Sequence, residues 1–262
     1  MTEIHPSSVV HPDAQLGEGV RVGPFCLIEA DVQMGDGCQV ESHAAVLSGT
    51  RMGRNNLVAA GAIVGGAPQD RKYDGEATFL TIGNENVIRE YVTLHRATGE
   101  GNSTVIGDRN YLMAFVHVGH NCTIMNDVTI ANNVGCSGHV TIEDSVTVGG
   151  MTGLHQWVRV GRAAMVGGMS RIVRDVPPFM VVEGSDQRVV DINAVGLRRM
   201  GITQEGRLAL HKAAKLLFKS NLNLTNAMEV VQREVKMTSE VEELLAFLER
   251  LYRGKMGRGD QR

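Results

Sequence analysis

The sequence predicts a mainly β protein: a parallel β-helix of about ten coils, built from hexapeptide repeats, followed by a small α-helical C-terminal domain. Three observations predict it. An aliphatic residue recurs at every sixth position over most of the chain, glycine crowds the position after it, and near residue 191 the period becomes helical.

The hexads begin at Ile4 and run through Val10, Leu16 and Val22 to Val64. They return as Ile82, Ile88 and Leu94, then continue unbroken from Ile106 to Ile172. Of 29 positions in this register, 26 carry Ile, Val, Leu, Met or Cys. The exceptions, Asp70, Glu76 and Glu100, fall in two polar segments that read as inserted loops near 66–81 and 95–105. A period of six matches neither an α-helix nor an alternating strand. It fits short strands joined by turns and stacked as a solenoid, with three hexads to the coil. At ~4.8 Å per coil the prism is about 45–50 Å long. Glycines following the aliphatic residue, such as Gly17, Gly53 and Gly149, suit a corner where the chain turns tightly. The spacing does not determine the hand of the coil.

Val176-Pro177-Pro178 ends the repeat, because proline has no N–H for a continuing sheet. The expected organisation is a β-helix over 1–178, a connecting segment over 179–190 and a helical domain over 191–262. Leu208, Leu210, Ala214, Leu217 and Phe218 mark one amphipathic helix. Ala227, Val230 and Val231 mark a second, and Val241, Leu244, Leu245, Leu248 and Leu251 a third. Asn223–Asn226 and Thr238–Glu240 supply capping residues near the last two starts. The tail after Gly254 reads as frayed and polar.

Composition narrows the function classes. Aromatic residues are 4% of the chain against 31 glycines, which suits a narrow aliphatic core with tight turns. A net charge of −3 supplies no global basic field for nucleic acid. Cys26, Cys38, Cys122 and Cys136 form no C-x-x-C pair and read as free thiols in a reducing compartment. No basic stretch leads into an apolar one at the N-terminus, and no apolar run approaches the ~18 residues of a membrane span. A cytoplasmic protein without stable membrane insertion is expected.

The repeat converts residue number into position on the prism. Counted in steps of one coil within the unbroken register, His117, His120, His139 and His155 gather on one edge within about three coils, roughly 10 Å along the axis. None occupies an inward position. Two chemistries could use them: three imidazoles could bind zinc, as in solenoid carbonic anhydrases, or one neutral imidazole could serve as a general base. The spacing leaves both open.

Particular motifs go further. Phe115-Val-His-Val-Gly-His-Asn-Cys122, Ser137-Gly-His-Val140, Gly153-Leu-His-Gln156, the segment Pro68–Thr78, Arg89–Arg96 and Asp175-Val-Pro-Pro178 resemble the corresponding blocks of the UDP-N-acetylglucosamine 3-O-acyltransferase family, and the similarity covers essentially the whole chain. The resemblance implies a left-handed coil and a homotrimer with sites between neighbouring prisms. The implied reaction is the first step of lipid A biosynthesis, transfer of a (R)-3-hydroxyacyl group from acyl carrier protein to a UDP-amino sugar. No metal and no separate cofactor are implied, since phosphopantetheine arrives on the carrier.

By the same resemblance His120 is the general base and the Gly138 N–H stabilises the oxyanion. Asp70 and Lys72 hold the sugar nucleotide, with His117, His139, His155, Gln156, Asn193 and Arg199 as further substrate contacts. Gly168 helps to set acyl length, glycine leaving room for a longer chain. Three positions depart from the family's pattern. Asn121 stands where aspartate often follows the catalytic histidine, Met200 follows Arg198-Arg199, and Asp186 stands where some members have histidine.

Arg159, Arg162, Arg171, Arg174, Lys212, Lys215 and Lys219 are candidates for a basic surface that docks the acidic carrier. Other readings are a related N-acyltransferase, expected to carry an extra domain before the coils, a zinc-dependent carbonic anhydrase, and an inert structural solenoid. Whether the acceptor is a hydroxyl or the amine of a 3-amino analogue is left open by the residues.

Overall fold

A computed structural model describes residues 1–261; Arg262, the last residue of the expected helical domain, lies outside them. Short strands, most of them a single dipeptide, alternate with tight turns and stack into three parallel sheets, the faces of a triangular prism. The first face runs from Glu3–Ile4 to Met165–Val166 and Met180–Glu183. The second runs from Val9–Val10 to Arg171–Ile172, and the third from Gln15–Leu16 to Arg159–Val160.

The sixth-position residues point inward and are sealed: Ile28, Ile88, Leu94, Leu112, Ile130 and Ile142 are fully buried. Ile4 has the same register but is 47% exposed, because no coil covers the first level. All four cysteines are buried and free. Burial pushes the Cys122 thiol up to about 12, so it stays a neutral part of the wall.

Register partners lie three hexads apart along the chain, as Ile4 and Val22 do. Across the first insertion the separation is five hexads, Val58 against Ile88, and across the second it is four, Ile88 against Leu112. The insertions therefore add two hexads and one hexad, always whole repeats, and the inward register survives both. The two loops hold each other. Glu76 accepts from the Gly99 N–H at 2.9 Å, and Glu100 accepts from the Ala77 N–H at 3.1 Å.

The glycines after the aliphatic residue have a different cause from the one expected. Gly149 does not have a left-handed backbone; a Cβ there would lie 2.4 Å from the Gly168 nitrogen of the next coil. Close stacking of coils therefore selects glycine at this position. The left-handed residue that turns the corner comes two places later and is often not glycine, as at Asn121, His139 and Trp157 with φ of 58°, 62° and 68°.

Residues 179–190 are not a simple connection. Met180–Glu183 extends the first face in parallel, and Arg188–Ile192 returns antiparallel against it. Pro177 and Pro178 interrupt the hexads, but the next segment still finds a free strand edge. Helices α1 (Ala194–Arg199), α2 (Gln204–Phe218), α3 (Leu224–Glu234) and α4 (Ser239–Arg253) follow, one short helix more than the periodicity suggested. Thr203, Asn223 and Thr238 cap the last three. Their buried faces include Leu210, Ala214, Val231, Leu244 and Leu248, whereas Leu208 is exposed.

The expected frayed tail is instead folded back on the last coils. Asp175 donates its N–H to the Gly257 carbonyl and accepts the Gly259 N–H, both at 2.8 Å. Asp260 pairs with Arg159 at 2.8 Å, and Arg258 donates to the Val173 carbonyl at 2.7 Å. Polar bonds hold this segment, so hydrophobic patterning carried no sign of it. Among the described residues no helix is long and apolar enough to cross a membrane.

Candidate active site

The histidines converge on the corner between the second and third faces. His120 and His139 lie one coil apart in successive turns, their rings 5.2 Å apart and edge to face. His139 stacks on Trp157 of the next turn at 3.9 Å. His117 lies on the adjoining second-face strand, with Nδ1 2.9 Å from the Thr93 hydroxyl. His155 and Gln156 are exposed one turn further on.

His120 is buried, at 7% exposure, and its ring lies over Gly138. A Cβ at 138 would come within 2.5 Å of both Cε1 and Nε2. Glycine is required at 138 by this close approach, and it leaves the Nε2 edge uncovered. Among the described residues the Gly138 N–H has no hydrogen-bond acceptor. On the other side of the ring, Nδ1 lies 2.8 Å from Asn121 Oδ1. An amide oxygen only accepts, so Nδ1 carries the proton and the neutral ring keeps its lone pair on Nε2.

Burial lowers the affinity of the neighbouring imidazoles for a proton. His139 and His117 both titrate below the usual histidine range for this reason, with the charges of His120 and His95 respectively adding to it. Both are neutral at pH 7. Asp70, on the first loop, lies within electrostatic reach of His139 and acts in the opposite direction. Its carboxylate accepts the Lys72 N–H at 3.0 Å, which sets the shape of that loop.

One site histidine escaped the sequence reading. His95 is 8% exposed and packs against His117 at 5.0 Å. Its Nδ1 donates to the Ala67 carbonyl at 2.7 Å, leaving Nε2 buried without a partner among the described residues. Counting by single coils from residue 106 onward excluded it. The longer step of four hexads across the second insertion, which pairs Thr93 with His117, brings it to this corner.

Other expected site residues lie elsewhere on the same chain. Gly168 is exposed on the corner between the first and second faces. Asn193 caps α1 by accepting from the Gly196 N–H, and its Nδ2 donates at 3.0 Å to the Ala163 carbonyl, on the corner between the third and first faces. Arg199 is exposed at the end of α1. The candidate docking surface also contracts. Arg159 pairs with Glu143 and Asp260, and Arg162 with Glu243, so both are internal ties. Arg171, Arg174, Lys212, Lys215 and Lys219 remain exposed, Arg174 and Lys212 each donating to a backbone carbonyl.

A β-helix of hexads with a histidine-lined corner defines a hexapeptide-repeat transferase. The family model described as bacterial transferase hexapeptide (six repeats) matches residues 103–138, and a second, UDP-N-acetylglucosamine O-acyltransferase domain 2, matches residues 175–256. The chain belongs to the UDP-N-acetylglucosamine O-acyltransferase family, and its solenoid is the left-handed parallel β-helix of that family.

It is 51% identical to the acyl-[acyl-carrier-protein]–UDP-N-acetylglucosamine O-acyltransferase of Trichlorobacter lovleyi, over 96% of this chain and 98% of that one. A relative of the same name from Synechocystis sp. is 48% identical over 68% of this chain, and the match spans 64% of that relative's length. The crystal structure of the UDP-N-acetylglucosamine acyltransferase of Bacteroides fragilis superposes with a TM-score of 0.91 at 35% identity, covering 94% of this chain and 96% of that one.

Proposed function

We propose that the protein transfers a (R)-3-hydroxyacyl group from acyl carrier protein to the 3-hydroxyl of UDP-N-acetylglucosamine, the first step of lipid A biosynthesis. The observation that carries the reading is the His120–Gly138 pair. A base with its lone pair on Nε2 lies over Gly138, whose N–H has no acceptor among the described residues.

In this reading His120 Nε2 takes the proton of the sugar hydroxyl as its oxygen attacks the thioester carbonyl. The Gly138 N–H holds the oxyanion that forms, a donor preorganised where charge develops. Collapse breaks the C–S bond, and His120 returns the proton to the departing phosphopantetheine thiolate. Products are the 3-O-acyl sugar nucleotide and the carrier thiol. Asp70, Lys72, His117, His139, His155 and Gln156 line the acceptor side of this corner.

Gly168 and Asn193 lie at other corners and Arg199 at the end of α1, so they reach a common substrate only if neighbouring copies pack side by side. A homotrimer satisfies that requirement. It also covers the exposed apolar row of Phe25, Tyr91, Phe115, Met151 and Met169 on the corner between the first and second faces. Arg171, Lys215 and Lys219 offer the acidic carrier its docking charge. The zinc reading is disfavoured because relatives that match nearly the whole chain are named as UDP-N-acetylglucosamine O-acyltransferases.

The deciding experiment is acyl transfer from a 3-hydroxyacyl carrier protein, comparing wild type with His120→Ala. Product from the wild type and a loss of about 10²–10⁴ in the variant is expected. Activity only with the 3-amino analogue would retain the base and overturn the acceptor. Inactivity with both would overturn the function.

A further inference from the structure

The residue after the base is an asparagine, and the second loop is built around its amide. Asn121 Oδ1 accepts from the Thr98 N–H at 3.0 Å and from the Thr98 hydroxyl at 2.9 Å, as well as from His120 Nδ1. Asn121 Nδ2 donates to the Thr98 carbonyl at 3.1 Å. Turning the amide over would set Nδ2 against the Thr98 N–H and Oδ1 against the Thr98 carbonyl, so one orientation alone satisfies both residues. From the other coil, the Asn121 N–H donates to Thr104 Oγ1 at 2.9 Å. The backbone of Asn121 is left-handed, a conformation that asparagine tolerates well.

We propose that Thr98 is a positioning residue for the base: through Asn121 it holds the His120 ring with its proton on Nδ1, and it makes this corner specific for an amide at 121. The inference rests on the general-base reading of His120 given above. A carboxylate at 121 would still accept from His120 and from the Thr98 N–H. Its second oxygen would face the Thr98 carbonyl, two acceptors with no proton between them. Thus Asn121 is an integral part of the clamp, and the base operates with an orienting amide in place of an adjacent anion. The titratable groups facing His120 are His95 and His139, with Asp70 beyond His139.

Two readouts test this on the full-length protein. The first is the pH dependence of kcat and KM. Thr98→Val removes the hydroxyl but keeps the backbone contacts, and kcat should fall about tenfold with KM little changed. Thr98→Ser should restore it. Asn121→Asp should move the acid limb of the profile up by about one pH unit or more, since an adjacent anion favours the imidazolium.

The second readout needs no acyl transfer: the rate at which diethyl pyrocarbonate carbethoxylates His120, followed by peptide mass spectrometry across pH. It should slow in Thr98→Val, recover in Thr98→Ser, and shift to higher pH in Asn121→Asp. Unchanged labelling and kcat in Thr98→Val, or an unmoved pH midpoint in Asn121→Asp, would overturn the clamp. Labelling that behaves as expected in a protein without transferase activity would leave the clamp standing and remove the proposed reaction instead. If Thr98→Val fails to fold, the Asn121→Asp midpoint alone decides.

Discussion

Two corners of the prism share one backbone and use it differently. On the corner between the third and first faces, the second turn residue of four successive coils lends its side chain to the coil before. Asn84 accepts the Arg54 N–H, Asp108 the Asn84 N–H, Asn126 the Asp108 N–H and Asp144 the Asn126 N–H, at 2.6–3.0 Å. Two hexads further along each coil, the same turn position carries His120, Gly138 and Gln156. There the ladder is missing. Gly138 has no side chain to lend to His120, and among the described residues the Gly138 N–H is left without an acceptor. The first corner satisfies its turns and gains stability. The second leaves a donor open and replaces the amide–carboxylate ladder with imidazoles.

The largest effect expected from this contrast belongs to Gly138→Ala. The added Cβ would lie 2.5 Å from the His120 ring, so the base must move. Displacement on that scale costs about a hundredfold in kcat, while the melting temperature stays close to that of the wild type. A variant as active as the wild type would show that the close approach is not functional.

Next comes the opposite corner. Asn126→Ala removes the acceptor of the Asp108 N–H and the donor to Asp144. It should cost roughly 1–3 kcal/mol of stability and leave kcat unaltered. Lost activity at unchanged melting temperature would erase the distinction between the two corners.

The smallest effect concerns the folded-back tail. Burial raises the Asp175 carboxyl from its ordinary value of 3.8 to about 6, against the pull of the Gly259 and Arg159 N–H bonds. The native state therefore binds this proton more tightly than the unfolded chain does. The resulting stabilisation is full below pH 3.8 and is lost as pH rises through about 6. Lowering the pH from 7 to 5 should stabilise the wild type by about 1 kcal/mol relative to Asp175→Asn, read as a difference in melting temperature. Parallel pH dependences would place the carboxyl at its ordinary value.

Much of this architecture was legible because a solenoid repeats its instructions. Val118, Ile124 and Ile130 each state the same inward register as Ile28, so chance substitutions cannot hide it. The histidine corner was legible for the same reason, as position followed from residue number. What escaped depends on contacts that do not repeat. His95 lies across an insertion, and the tail is held by single bonds from Asp175, Arg159 and Arg258. The hairpin of Met180–Glu183 and Arg188–Ile192 follows two prolines that read as a stop. Glycine was read correctly as marking the corner but for the wrong atom: the neighbouring coil, not the φ angle, excludes its Cβ at Gly149.

The lengths of the two insertions constrain how such a chain can change. Additions of two hexads and of one act like insertions that preserve a reading frame: everything downstream keeps its assignment of inside and outside. Where added residues continue the coil, a fraction of a hexad would be a frameshift, sending Val118 or Ile124 out into water and a neighbouring polar residue into the wall. Variation by whole hexads lets the loops beside the histidines be lengthened or trimmed, while the stack above them is read in the same frame.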